Sequence, residues 1–204
     1  MIAAATPGLE HLLVLGKVKE LDRERAADLI VVDAPPAGHA APFLRSASAL
    51  LDVVTDGPVR TQAIEVAEML ADPTRCQALL VTLPEETPVN EAVELAFDLE
   101  EHIGLALAPV VVNACWPDRA GLAMSASRAA KAQGVTLPRA TLAALDVATR
   151  FGQSRLVQQR EQLARLRDAL PLPLIELPRI PAPRLTPEHL ELLADSLMQL
   201  VPVP

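Results

Sequence analysis

Apolar residues along the chain follow two patterns, helical spacing and short unbroken runs. Leu9, Leu12, Leu13 and Leu21 predict an amphipathic helix over 8–25. In "DLIVVDAPPAGHA" (28–40), the apolar residues Leu29 to Val32 run into Asp33 and then into a turn rich in proline and glycine. Such a run predicts a buried strand of a parallel sheet over 28–33. Helices are expected over 42–51 and 58–70, divided by the turn "TDGP" at 55–58. "QALLVTL" (77–83) predicts a second strand. In "TPVNEAVELAFDLEEHIG" Thr87 is expected as N-cap, Pro88 at the first helical position and Gly104 at the stop. "LAPVVVN" predicts a third strand ending at Asn113, and "LPLIELP" (172–178) a fourth.

Between those last two strands, Leu142, Leu145, Leu156, Leu163, Leu166 and Leu170 fall close to one face of a long helix. Arginines and glutamines occupy much of its other face. A final helix is capped by Thr186, opens on Pro187 and runs to about Leu200. Strands alternating with helices make this an α/β chain with a mostly parallel sheet flanked by helices. Without a repeat or a linker, residues 1–204 read as a single domain.

Composition narrows the chemistry. Half of the residues are apolar, only 2% are aromatic, and Trp116 is the one tryptophan, so the core is aliphatic. A net charge of −8 argues against nucleic acid as a partner, and so does the scarcity of stacking side chains. Cys76 and Cys115 have no CxxC companions, which argues against a disulfide framework or a zinc site and fits reduced thiols in the cytoplasm. The amino-terminal apolar stretch is interrupted by Pro7, Glu10 and His11, and its basic residues follow it, unlike a signal peptide. No run reaches transmembrane length, so a cytoplasmic protein, not an integral membrane one, is expected.

The order of the blocks carries a resemblance. "VVDAPPAGHA" resembles the switch II segment of the anion-transporting ATPases, the family of the arsenite-pump ATPase and of the targeting ATPase for tail-anchored membrane proteins. "LLVTLPEETPVNEAVEL" is similar to the strand and helix that follow it in that family, and "PVVVNACWP" to the strand whose terminal asparagine reads adenine. "ATPGLEHLLVLGKVKEL" resembles the stretch leading into switch II; residues 116–170 match least. The resemblance implies a partial P-loop NTPase-like fold, ATP and Mg²⁺ as cofactors, and a dimer. Asp33 would hold a water on Mg²⁺, and Gly38 would offer its backbone N–H to the γ-phosphate. His39 would belong to the switch that rearranges when that phosphate leaves. Asn113 and Pro178 would meet adenine, the amide having both a donor and an acceptor for the base edge.

Departures from the family pattern matter as much. Ala37 stands where the family usually has threonine. A phosphate cradle needs a Gly-rich turn with Lys-[Ser/Thr], but the only Gly-Lys, Gly16-Lys17, precedes Val18 inside a helical pattern. The first strand and P-loop are therefore absent from this sequence, and by comparison with the family roughly a third of a subunit is expected upstream of Met1. Two isolated cysteines cannot supply three sulfur ligands to As(III). Taken singly, Asp33 also reads as a turn cap, Asn113 as a strand end bonded to its own backbone, and His39 as a surface histidine. Two functions follow: part of an ATP-hydrolysing subunit, inactive alone, or an inactive short paralogue that pairs with an intact homologue. The partner would be a second copy in the first case and that homologue in a heterodimer in the second.

Overall fold

The structure, a computed structural model, describes residues 8–198. In chain order it contains α1 (Leu9–Arg23), α2 (Ala37–Leu44), α3 (Ser46–Leu51), α4 (Pro58–Ala71), β1 (Gln77–Ala78) and β2 (Val81–Thr82). Then follow α5 (Glu86–Asp98), β3 (Ala106–Leu107), β4 (Val110–Cys115), α6 (Ala126–Ala132), α7 (Arg139–Ala169), β5 (Leu174–Pro178) and α8 (Pro187–Met198). The fold is α/β, with short parallel ladders and a helical majority. It divides into two compact units, one of residues up to Leu80 with Asn90–Pro109, the other of Val81–Val89 with the chain from Val110. No helix among the described residues is long and apolar enough to cross a membrane.

In the first unit, Leu12 and Leu15 of α1, Leu50 of α3, and Val66 and Leu70 of α4 are buried. Their spacing is that of single apolar stripes turned inward. Gly16 lies where α1 meets α4: a Cβ there would sit 1.9 Å from Gln62 Nε2. One turn on, the buried Lys19 ammonium pairs with Glu65 and donates to Gln62 Oε1 at 2.9 Å. Gly16-Lys17 is thus part of a helix, as its pattern implied, and not a phosphate loop. β1 and β3 form a two-residue parallel pair, and α5 passes through a π-helical turn, Leu99–Ile103, before Gly104 ends it at φ 73°. A positive φ at that stop is one that glycine adopts without steric cost.

In the second unit the parallel order is β2-β4-β5, with Val111 opposite both Val81 and Ile175. β4 is central, and Val110, Val111 and Val112 are all buried, which explains an apolar run without alternation. Leu156, Leu163 and Leu166 of α7 are buried, as is Leu170 just past its end.

The largest departure from the pattern concerns residues 28–33, which form no strand. The segment makes no backbone–backbone hydrogen bond to another described residue, and Leu29, Val31 and Val32 are 78%, 80% and 41% exposed. A strand is defined by its neighbours, and here none lies alongside. Smaller corrections are local. α5 starts at Glu86, with Val89 N–H donating to the Glu85 carbonyl, so Thr87 is not the N-cap nor Pro88 the first helical residue. Pro88 still falls within the first turn, where its missing N–H costs nothing. The helix expected from 42 begins at Ala37 and is interrupted at Arg45. The run 77–83 pairs only at its ends, and β4 continues past Asn113 to Cys115. α8 opens on Pro187 as expected; Leu200 lies outside the described residues.

Candidate functional site

The expected site residues fall into two groups, one in each unit. In the first unit, Asp33 is exposed at the end of the unpaired segment, and its carboxylate has no hydrogen-bond partner among the described residues. Pro36 then caps α2, its carbonyl accepting from the N–H groups of His39 at 2.7 Å and Ala40 at 3.0 Å. Gly38 is the second residue of that helix, where a backbone N–H has no partner within the helix itself. Four residues on, Pro42 lacks the N–H that would bond the Gly38 carbonyl. A Cβ on Gly38 would meet nothing within 4 Å, and its φ lies outside the left-handed region. Neither packing against the described residues nor backbone conformation requires a glycine there. His39 is exposed beside it.

Mg²⁺ is held in nucleotide sites by one or two carboxylates together with waters and substrate phosphates. Among the described residues no group of three or more His, Cys, Asp or Glu side chains could hold a metal ion. Asp33 alone therefore makes no Mg²⁺ site.

In the second unit, Asn113 and Pro178 lie near the carboxyl ends of the neighbouring parallel strands β4 and β5, where open α/β sheets place their ligands. Asn113 Oδ1 accepts the Ala114 N–H at 2.8 Å, and Ala114 takes φ 58°, breaking the ladder between Val112 and Cys115. The register resumes with Cys115 opposite Pro178, and the Arg179 N–H donates to the Cys115 carbonyl at 2.8 Å. Just beyond, the guanidinium of Arg179 lies 4.3 Å from the Trp116 ring centroid. Trp116 and Arg179 were not among the expected site residues. The available signal was positional: the single tryptophan follows a strand end, and Phe151, Arg155 and Gln159 repeat every four residues on α7 opposite it.

Burial pushes the Cys115 thiol up to about 12, with the Glu176 carboxylate adding to the effect. Its Sγ–H donates to the Val112 carbonyl at 3.4 Å. The native state keeps this proton where an unfolded chain loses it, so the contribution to stability is full below 9.0 and declines as pH rises towards about 12. Cys115 is accordingly expected to resist a thiol reagent such as dithionitrobenzoate at pH 8 until the protein unfolds. Rapid modification of Cys115 in the native protein, mapped by mass spectrometry, would contradict this burial.

The remaining histidines serve structure. His11 packs edge-on against Phe43, His102 Nδ1 lies 3.0 Å from Asp98, and His189 Nδ1 accepts the Thr186 N–H at the start of α8.

No family model matches the chain. It is 35% identical over 192 residues to ATPase BagA of Mycobacterium tuberculosis, covering 85% of this chain and 56% of that protein. Arsenical pump-driving ATPases of Escherichia coli and Acidiphilium multivorum are 33% and 34% identical over 96 and 100 residues, 47% of this chain and 16% of each of them. The chain is thus similar to part of the ATPases of the arsenical pump group, and it spans about half the length of the first of these relatives.

Proposed function

We propose that the chain carries the switch and base-binding parts of an ATP-hydrolysing subunit, working as a dimer. The observation that supports this most is the coincidence of two things. The similarity to ATPases runs through most of the chain, and Asn113 and Pro178 lie on paired strands at the ligand-bearing end of a parallel sheet. In this reading Asp33 holds a water on Mg²⁺, Gly38 approaches the γ-phosphate through its free N–H, and His39 moves with the switch. The glycine at 38, required by no packing among the described residues, suits a position that a ligand must approach closely. Phosphate binding and charge stabilisation would come from a P-loop that this sequence does not contain.

The chain alone is therefore expected to show no Mg²⁺-dependent ATP hydrolysis above background. Supplied with a P-loop segment from a longer relative, it should gain activity, and Asp33→Asn should lower that activity roughly 100-fold. Turnover by the chain alone, or restored turnover indifferent to Asp33→Asn, would refute the assignment. A second reading follows from the missing Gly-Lys-[Ser/Thr] loop: an inactive paralogue that regulates an intact homologue. The intact mass in the native cells separates the two. A heavier species bearing a P-loop peptide supports the subunit; 21.8 kDa supports the paralogue.

A further inference from the structure

In the first unit α1 and α4 lie side by side, Gly16 against Gln62 and, one turn on, Lys19 against Gln62 and Glu65. Along their seam runs a cleft of about 690 Å³, a size typical of small-molecule sites. Its chemistry changes along its length. Leu13, 63% exposed, and Pro58 line one part, where each helix begins its share of the cleft. Further along both helices the lining turns cationic, with Lys19, Gln62 and Arg23. The donors there are not all spent. Gly16 leaves room for the Gln62 amide, since a Cβ would overlap Nε2. Gln62 Oε1 accepts from Lys19 at 2.9 Å, while Nε2 makes no hydrogen bond among the described residues. The Lys19 ammonium has three N–H groups and commits two, to Glu65 and Gln62. The Arg23 guanidinium also makes no hydrogen bond among the described residues. Hydrogen bonds from Lys17 and Lys19 hold the Glu20 and Glu65 carboxyls below their usual range, and Arg23 adds to both through space.

The two carboxylates that face the cleft are thus each taken by a lysine, Glu20 by Lys17 at 3.0 Å and Glu65 by Lys19. Three cations against two carboxylates leave one positive charge here, in a chain whose net charge is −8. We infer that this cleft binds a small amphiphilic anion. Its oxyanion head, a phosphate or a carboxylate, is taken by Arg23, Gln62 Nε2 and the uncommitted N–H of Lys19, and its short apolar tail lies along Leu13 and Pro58. Charge-assisted hydrogen bonds from a guanidinium suit either head. A bare phosphate would leave the Leu13 part of the cleft unfilled, which is why the ligand carries a tail. Nothing in this site depends on the nucleotide reading.

Hexyl phosphate, hexanoate and inorganic phosphate are titrated separately into the full chain at millimolar concentrations, with chloride at matched ionic strength as control. Amide shifts of residues 16–23 and 61–65, the Gln62 side chain included, and the Leu13 methyl shifts locate binding. At least one of the two hexyl probes should move both sets with a common midpoint, and hexyl phosphate should bind roughly ten-fold tighter than inorganic phosphate. The tighter of hexyl phosphate and hexanoate identifies the head. Arg23→Ala, at an exposed position, should weaken binding roughly ten-fold. Gln62→Glu keeps an oxygen for Lys19 but sets a carboxylate in place of Nε2, and it should abolish binding. Shifts that chloride reproduces, a midpoint indifferent to Arg23→Ala, or no binding of either hexyl probe would overturn the proposal. So would shifts confined to Gly38 and His39, which would put the anion at the start of α2 instead.

Discussion

Val31→Lys is expected to convert a self-associating chain into a monomer. Leu29 and Val31 are 78% and 80% exposed while Ile30 between them is half-buried, the alternation of a strand that lacks a neighbour. With no backbone–backbone partner for 28–33, the segment offers hydrogen-bonding groups and apolar side chains together. That combination templates pairing with another extended chain. Covering an apolar side chain of this size is worth about 1.5–3 kcal/mol, so losing Val31 alone should weaken association at least ten-fold. A charge also opposes edge-to-edge pairing directly. Sedimentation velocity of the wild type and the variant across a concentration series measures the effect. A wild type that stays monomeric at the highest concentration would show that the exposed run does not recruit a strand.

Leu166→Ala should destabilise the protein by about 3 kcal/mol, and Leu145→Ala on the same helix by well under 1 kcal/mol. Leu166 is fully buried and leaves a cavity when truncated, whereas Leu145 is 43% exposed and its loss empties nothing. Denaturant midpoints at equal slope compare the two directly. Equal costs would mean that the two ends of α7 are equally embedded, against the burial seen here.

These two cases also mark how far the sequence was legible. Most helices were readable because their signals are local: Pro58 opens α4, Thr186 and Pro187 open α8, and Gly104 ends the helical stretch begun by α5. β4 was readable because a strand buried on both faces must be apolar at every position. The leucines of α7 shared one stripe in the pattern, yet only those from Leu156 onward are buried. Periodicity gives a face, and only the neighbours decide which length of it is covered.

The same distinction holds for the candidate site. The order of apolar runs, the Asp33–His39 turn, Asn113 and the lack of a Gly-Lys-[Ser/Thr] loop were written in the sequence, since each depends on residues adjacent in the chain. Three matters were decided only by tertiary structure. One is that residues 28–33 stay unpaired, because a strand needs a partner that no local pattern supplies. Another is that the strands carrying Asn113 and Pro178 lie side by side, because parallel pairing joins segments more than sixty residues apart. The last is that Trp116 is braced by Gln159 and stacked by Arg179, because helix, strand end and loop converge there. Local chemistry writes the elements and their ends, and long-range pairing chooses which of their side chains share a surface.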